Sequence, residues 1–130
     1  MTELRGESLE ASLTVKHLEV SVAWYHDVLQ FTIDRRHERE GKLIAASLRA
    51  GDVELLLTQD DGKKGLDRVT GEGFSLQITT AQSADELADH ARLHGATLDT
   101  DPTSTPWGRR VFRLRDPDGF RWTISSTHAG

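Results

Sequence analysis

The predicted elements occur in the same order twice along the chain, and this repeat limits the possible folds more than any other feature. A strand, a helix and three strands are followed by a second strand, helix and three strands. Gly41 and Gly108, each ahead of a predicted strand, are 67 positions apart, and so are Leu56 and Thr123. Because one such unit cannot bury its sheet face alone, the halves are expected to pack into a single α+β domain spanning residues 1–130.

The first half, about residues 9–59, combines strand and helix periodicities. Large apolar and small polar residues alternate in LEASLTV, which is typical of a half-buried strand, and Val22 and Tyr25 recur at helical spacing. Turn residues near Gly41 and Gly51 separate the later strands. The predicted strands of this half span residues 9–15, 31–39, 42–50 and 53–58.

Residues 60–72 are rich in glycine and charge, lack periodicity and are predicted to be a linker. The second half, about residues 73–126, contains a helix predicted to begin after Ser83, with Glu86 in a capping box, and to stop at Gly95. The predicted strands of this half span residues 73–80, 97–101, 109–115 and 120–125.

Charge and composition exclude several classes of function. The 130-residue chain has a net charge of −5 and a pI of about 5.6, which argues against nucleic acid as a partner. It has no cysteine, which excludes disulfides, thiolate metal sites and cysteine nucleophiles. The charged amino-terminal segment does not have the pattern of a signal peptide, and no apolar run could span a membrane. We therefore expect a cytoplasmic protein without a membrane partner.

Two stretches carry a family resemblance. LTVKHLEVSVAWYHDVLQF is similar to the opening pattern, and PWGRRVFRLRDPDGF to the closing pattern, of the glyoxalase/bleomycin resistance/dioxygenase (vicinal oxygen chelate, VOC) superfamily. The resemblance covers about residues 9–126 and departs at His17, usually Asp, and at Gln30, usually Gly. It implies two βαβββ modules whose curved mixed sheets form a cleft, and a homodimer.

The same resemblance implies where a metal would be bound. The metalloenzymes of the superfamily place His or Glu on the first and last strands of each module. The corresponding positions here are Glu10, Leu56, Ser75 (or Leu76 in the neighbouring register) and Thr123. Among these positions, Glu10 alone has a side chain that could coordinate a metal ion directly, whereas a catalytic divalent ion needs about three His or carboxylate ligands. No metal or other cofactor is therefore expected, and the chain looks closest to the metal-free bleomycin-resistance-like branch.

Strand alternation predicts which residues line the cleft. If large apolar residues such as Leu13, Leu57 and Trp122 face the helices, alternate residues face the cleft. These cleft-facing residues are Glu10, Ser12, Thr14, Glu54, Leu56, Thr58, Ser75, Gln77, Thr79, Arg121, Thr123 and Ser125. Their hydroxyl, amide and charged groups can hydrogen-bond a polar organic molecule, but they contain no evident nucleophile–base pair.

Other residues have both functional and structural interpretations. Trp107 and Arg109 could stack on a flat ligand and clamp a carboxylate at the cleft mouth, or could simply belong to a turn. Glu10 and Glu54 could act as a general base and its partner, or could be neutralised by a cation such as Arg121. His90 and His94 have a zinc-chelating spacing, but no third ligand accompanies them.

The leading hypothesis is a protein that binds a small polar or aromatic organic ligand in a metal-free cleft, with antibiotic sequestration as one role. The alternative is a VOC-type lyase, isomerase or dioxygenase that uses a divalent metal or a Glu10 or Glu54 general base. A regulatory dimer with a vestigial cleft is a third possibility. The sequence leaves open whether the protein is catalytic, which ligand it binds, and whether the modules pair within one chain or between two.

Overall fold

The computed structural model describes residues 2–63 and 72–128. Residues 64–71, which form most of the predicted linker, lie outside the described residues. The elements in chain order are β1 (Ala11–Val15), α1 (Leu18–Leu29), β2 (Thr32–Arg39), β3 (Lys42–Ala50), β4 (Val53–Gln59), β5 (Leu76–Thr80), α2 (Ala84–Leu93), β6 (Leu98–Ser104), β7 (Arg110–Arg115) and β8 (Arg121–Ser126).

The strands form two four-stranded mixed sheets with the same topology. The first sheet has the order β1-β4-β3-β2 and the second β5-β8-β7-β6. In each sheet the first strand pairs in parallel with the last, and the remaining pairs are antiparallel. The predicted α+β class with two βαβββ units is confirmed. No helix in the described ranges is long and apolar enough to cross a membrane.

The strand boundaries differ from the predictions mainly at edges. β6 runs to Ser104 instead of ending at residue 101, so the predicted end was wrong. It contains Pro102 and pairs irregularly with β7, which suits an edge strand because its outer side needs no ladder hydrogen bonds. β1 and β5 begin later than predicted, so Glu10 and Ser75 lie just before their strands.

The two helices are stabilised differently. α1 buries Leu18, Val22 and Tyr25 and ends at Gln30, whose left-handed conformation (φ 61°) lets its N–H donate to the carbonyl oxygen of Tyr25. α2 has the predicted N-cap, because the Ser83 hydroxyl accepts from the Glu86 N–H at 3.3 Å. Its buried face is made of alanines, which allows a close approach to its sheet.

The helix-facing sides of both sheets contribute to one apolar core. Leu57 of the first sheet and Phe112 of the second are fully buried in it, and Trp122 packs against Tyr25 with ring centroids 5.8 Å apart. The prediction that Tyr25 and Trp122 are core residues is confirmed. Since the two sheets share this core, their opposite faces point away from it. We call these the first and second inner faces, because they carry the predicted cleft residues.

A buried hydrogen-bond network joins the two modules. The Tyr25 hydroxyl donates to Asp116 Oδ2 at 2.6 Å and accepts from Trp122 Nε1 at 2.9 Å. Asp116 Oδ1 also accepts the N–H groups of Asp118 and Phe120. Burial raises the pKa of Asp116, and the Tyr25 hydrogen bond partly offsets this rise. The DPDG segment therefore does more than form the predicted tight turn: it anchors the second module to α1.

Candidate functional site

The first inner face has a central row of small and apolar side chains. Ser12 of β1 is the register partner of Leu56 in β4, and Leu56 is in turn the partner of Ser47 in β3. The adjacent row contains Thr14 and Thr58, whose hydroxyl oxygens are 3.3 Å apart. The alternation predicted for β1 and β4 places these residues together, so the surface offers hydroxyl groups around one leucine.

A charged row borders this surface. Arg49 Nη2 donates to Glu54 Oε1 at 2.5 Å, and Arg49 Nε donates to Asp34 Oδ2 at 3.3 Å. Glu10 completes the row on the other side of Glu54. The cation beside Glu54 is thus Arg49, its cross-strand partner in the β3–β4 register, and not Arg121, which lies on β8 of the other sheet.

Glu10 and Glu54 share a hydrogen bond, which shifts their pKa values in opposite directions. The hydrogen bond with Glu54, followed by charge repulsion from it, raises the pKa of Glu10. The hydrogen bond with Glu10, followed by that with Arg49, lowers the pKa of Glu54. Glu54 therefore keeps its negative charge more readily, and Glu10 holds a proton to a higher pH than an ordinary glutamate.

Two adjoining cavities lie over the first inner face. One has a volume of about 210 Å³, and its lining residues are Glu10, Asp34, Ser47, Leu48, Glu54, Leu55 and Leu56. The other has a volume of about 570 Å³, and its lining residues are Asp34, Arg35, His37, Ser47 and Leu56. Together they are large enough for a small organic molecule. Both are lined by residues of the first module.

The second inner face carries the remaining predicted residues. Gln77 of β5 is the register partner of Thr123 in β8. Thr123 is buried, whereas Gln77 and Arg121 are exposed, and Ser75 is exposed just before β5. This face is polar, as the alternation predicts. It extends from the second sheet, so the structure does not bring Thr123 into the cavities that Glu10 and Leu56 line.

The β6–β7 turn presents the third group of predicted residues. Trp107 is 75% exposed at its tip, and the Arg109 N–H donates to the Thr105 hydroxyl at 3.0 Å. The Arg109 guanidinium donates to the Ser125 hydroxyl at 3.2 Å, which directs it toward the second inner face. Trp107 is exposed in the turn and lines none of the cavities described here, whereas the Arg109 guanidinium is bound to β8.

The donor set does not fit a metal centre. Within residues 2–63 and 72–128, no group of three or more His, Asp or Glu side chains is placed to hold an ion. The His90 and His94 rings stack with centroids 4.2 Å apart. His90 Nε2 contacts the backbone oxygen of Asp27, and His94 Nδ1 contacts the backbone oxygen of His90. The aliphatic Leu56 stands where a ligand would be needed.

Sequence reasoning missed the contribution of β2 and β3 to this site. The β3 alternation could have placed Ser47 and Arg49 on the inner face, since they are register partners of Leu56 and Glu54. Asp34 could not be placed in this way, because a register shift between Ile33 and Arg35 interrupts the alternation.

The comparisons with known proteins agree with this architecture. The family model of the Glyoxalase/Bleomycin resistance protein/Dioxygenase superfamily matches residues 9–124. The chain belongs to this superfamily. The comparison with curated proteins returns no match. The superfamily assignment rests on nearly the whole length of the chain.

Solved structures of similar fold include three that match nearly the whole of this chain. TioX from Micromonospora sp. ML1 is 20% identical with a TM-score of 0.76, over 94% of this chain and 99% of that one. A superfamily domain from Frankia sp. EAN1pec is 23% identical with a TM-score of 0.76, over 98% and 96%. The V. cholerae integron cassette protein VCH_CASS1 is 20% identical with a TM-score of 0.72, over 97% and 98%. At these identities the likeness establishes the fold of this superfamily member.

Proposed function

We infer that this superfamily member binds a small polar or aromatic organic ligand with a cationic group, without a metal, on the first inner face. The charged row beside the two cavities carries this inference. Glu10, Glu54 and Asp34 supply three carboxyl groups, and the guanidinium groups beside them are Arg49, which pairs with Glu54 and Asp34, and Arg35, which lines the larger cavity. A ligand cation would balance the carboxyl group that these two guanidinium groups leave in excess, and it would favour the ionised form of Glu10.

The neighbouring groups indicate the remainder of the ligand. Leu56 gives the cavities an apolar floor, and Ser12 and Ser47 give hydroxyl groups that donate or accept. A flat ring with one or two polar substituents matches this combination better than a phosphate, whose negative charge these carboxyl groups would repel.

The cleft is completed, in this proposal, by a homodimer in the cytoplasm. The first inner face points away from the core, and so does the second, with Gln77, Arg121 and Thr123. A second copy could set its second inner face opposite the first, with the exposed Trp107 closing over the ligand. A dimer that encloses its ligand in this way suits sequestration of a toxic compound such as an antibiotic.

Equilibrium titration with flat organic cations, including 9-aminoacridine and bleomycin, tests the proposal. Glu54→Gln should weaken binding roughly tenfold, because one close charge pair is lost. Glu38→Gln is the matched control, since this exposed residue of β2 lines neither cavity. Absence of binding across the panel, or equal binding by both variants, contradicts the proposal.

A second candidate is a metal-independent enzyme of the same superfamily with Glu10 as general base. The raised pKa of Glu10 favours it, because a base is most effective when its pKa approaches the working pH. Glu10→Gln should then reduce the turnover of an identified substrate by orders of magnitude while the fold is retained. Elemental analysis of purified protein separates this candidate from a metal-dependent lyase, isomerase or dioxygenase, which should carry a stoichiometric divalent ion.

A further inference from the structure

A third cavity, of about 560 Å³, lies between the two modules and away from the first inner face. It opens where α1 ends, beside the β3–β4 turn, and extends to the end of β5. A cavity of about 570 Å³ adjoins it over the start of α2. The two share Gln30, Ala81, Gln82 and Leu87, so they form one groove, which we call the intermodule groove.

The first part of the intermodule groove has an apolar floor and walls bordered by polar residues, among them Thr79 and Thr80. Its floor includes the buried rings of Phe31 and Phe112, and its walls include Leu29, Val53 and Ile78, which are only half-buried. Half-buried aliphatic walls gain when an apolar group displaces water from them. An alkyl chain fits a space of this volume and lining.

The second part is polar, and its formal charge is negative. Glu86 lines it, together with the amide of Gln82 and the imidazole rings of His90 and His128. Asp52 stands in the β3–β4 turn at the mouth of the first part. No lysine or arginine is among the described residues that line either part. The groove therefore favours a cationic head group and disfavours an anionic one.

Gln30 stands at the junction of the two parts. Its φ of 61° lies in the left-handed region, where glycine is favoured over residues with a side chain. Its side chain is exposed, and its backbone N–H donates to the Tyr25 carbonyl oxygen to end α1. The amide of Gln30 lines both parts of the groove, where it can donate to or accept from a ligand.

We propose that the intermodule groove is a second ligand site, which binds a linear amphiphile with an alkyl chain and an amine head. The chain lies on Phe31, Phe112 and Ile78, and the head lies in the second part beside Gln30 and Glu86, with Asp52 as a second carboxylate along the groove. This site is independent of the first inner face, because the two lie on different surfaces and share no lining residue.

Displacement of the fluorescent reporter N-phenyl-1-naphthylamine from the full chain tests the site. The probes are dodecylamine, dodecanol and dodecanoate, which share one chain and differ in the head, each below its aggregation threshold. Dodecylamine should displace the reporter about tenfold more strongly than dodecanoate, because the groove carries carboxylates and no fixed cation. Equal displacement by all three probes overturns the amine head, and absence of displacement overturns the site.

Two matched substitutions locate the site. Ala81 is exposed and lines both parts of the groove, so Ala81→Trp should fill the junction and reduce dodecylamine binding at least tenfold. The control is Ala23→Trp, on the exposed side of α1, which should leave dodecylamine binding unchanged. Circular dichroism checks that both variants fold. A double variant, Asp52→Asn with Glu86→Gln, leaves the packing intact and should abolish the preference for the amine. Unchanged binding by Ala81→Trp and an unchanged preference in the double variant overturn the proposal.

The same variants separate this site from the proposed function. Glu54→Gln should leave dodecylamine binding unchanged, and Ala81→Trp should leave 9-aminoacridine binding unchanged. If Glu54→Gln weakens both ligands equally, the amphiphile binds the first inner face and the intermodule site is refuted. If 9-aminoacridine does not bind but dodecylamine does, the proposed function fails and the intermodule site stands.

Discussion

Removal of one hydroxyl group should loosen the attachment between the modules. Tyr25→Phe deletes the donor to Asp116 Oδ2 and the acceptor of Trp122 Nε1, both of which are buried. A buried polar group left without its partner costs about 1–3 kcal/mol, and more if it is charged. Loss of both contacts should therefore lower the free energy of unfolding by about 2–4 kcal/mol. At about 4 °C per kcal/mol, the melting temperature should fall by about 8–16 °C.

The loss should also depend on pH, and its sign follows from the pKa of Asp116. Burial raises this pKa, so the stability from its retained proton is complete below about pH 4 and is lost as the pH rises through the folded-state value. The Tyr25 hydrogen bond counteracts the rise. Without this hydrogen bond, the ionised form of Asp116 is less stable in the folded protein. The destabilisation by Tyr25→Phe should therefore be larger at pH 7 than at pH 4.

Urea unfolding followed by circular dichroism at both pH values measures this effect. Thr14→Val removes an exposed hydroxyl and serves as the control, with an expected change within about 0.5 kcal/mol. A double-mutant cycle with Asp116→Asn should show coupling, because the two side chains are in direct contact. A Tyr25→Phe change below about 0.5 kcal/mol, or an equal change at both pH values, would refute the assigned role of this network.

Three further predictions concern single residues. Glu54→Gln should lower the pKa of Glu10 toward its ordinary value, measured by carboxyl ¹³C titration; an unmoved value would mean that the two side chains do not interact. Ser83→Ala should destabilise the protein by about 1 kcal/mol in urea unfolding, since α2 loses its cap; no loss would contradict the cap. Gln30→Gly should raise stability by about 1 kcal/mol in the same assay, because glycine relieves the left-handed strain, whereas a loss would contradict that strain.

The sequence predicts the fold well because its signals are local and repeated. Strand alternation, a helical apolar periodicity and glycine turns occur in the same order in both halves, and the two mixed sheets follow from them. The buried places of Tyr25 and Trp122 were likewise predictable from periodicity. The error at the end of β6 arises because an edge strand tolerates Pro102, which the propensities of central strands exclude.

The site is less predictable because it depends on contacts between strands. Glu54 and Leu56 could be assigned to the first inner face from alternation alone, but the pairing of Glu54 with Arg49 depends on the register of a neighbouring strand. The contact between Tyr25 and Asp116 joins residues 91 positions apart, and no local pattern specifies it. Long-range pairs of this kind decide how the two modules are placed.

Calorimetric titration of chelator-treated protein with 9-aminoacridine tests the central claim most directly. Our account predicts that binding persists without metal, is unchanged when a divalent ion is added, and weakens about tenfold in Glu54→Gln but not in Glu38→Gln. Binding that appears only after a divalent metal is restored, or that does not change when Glu54 is replaced, would contradict it.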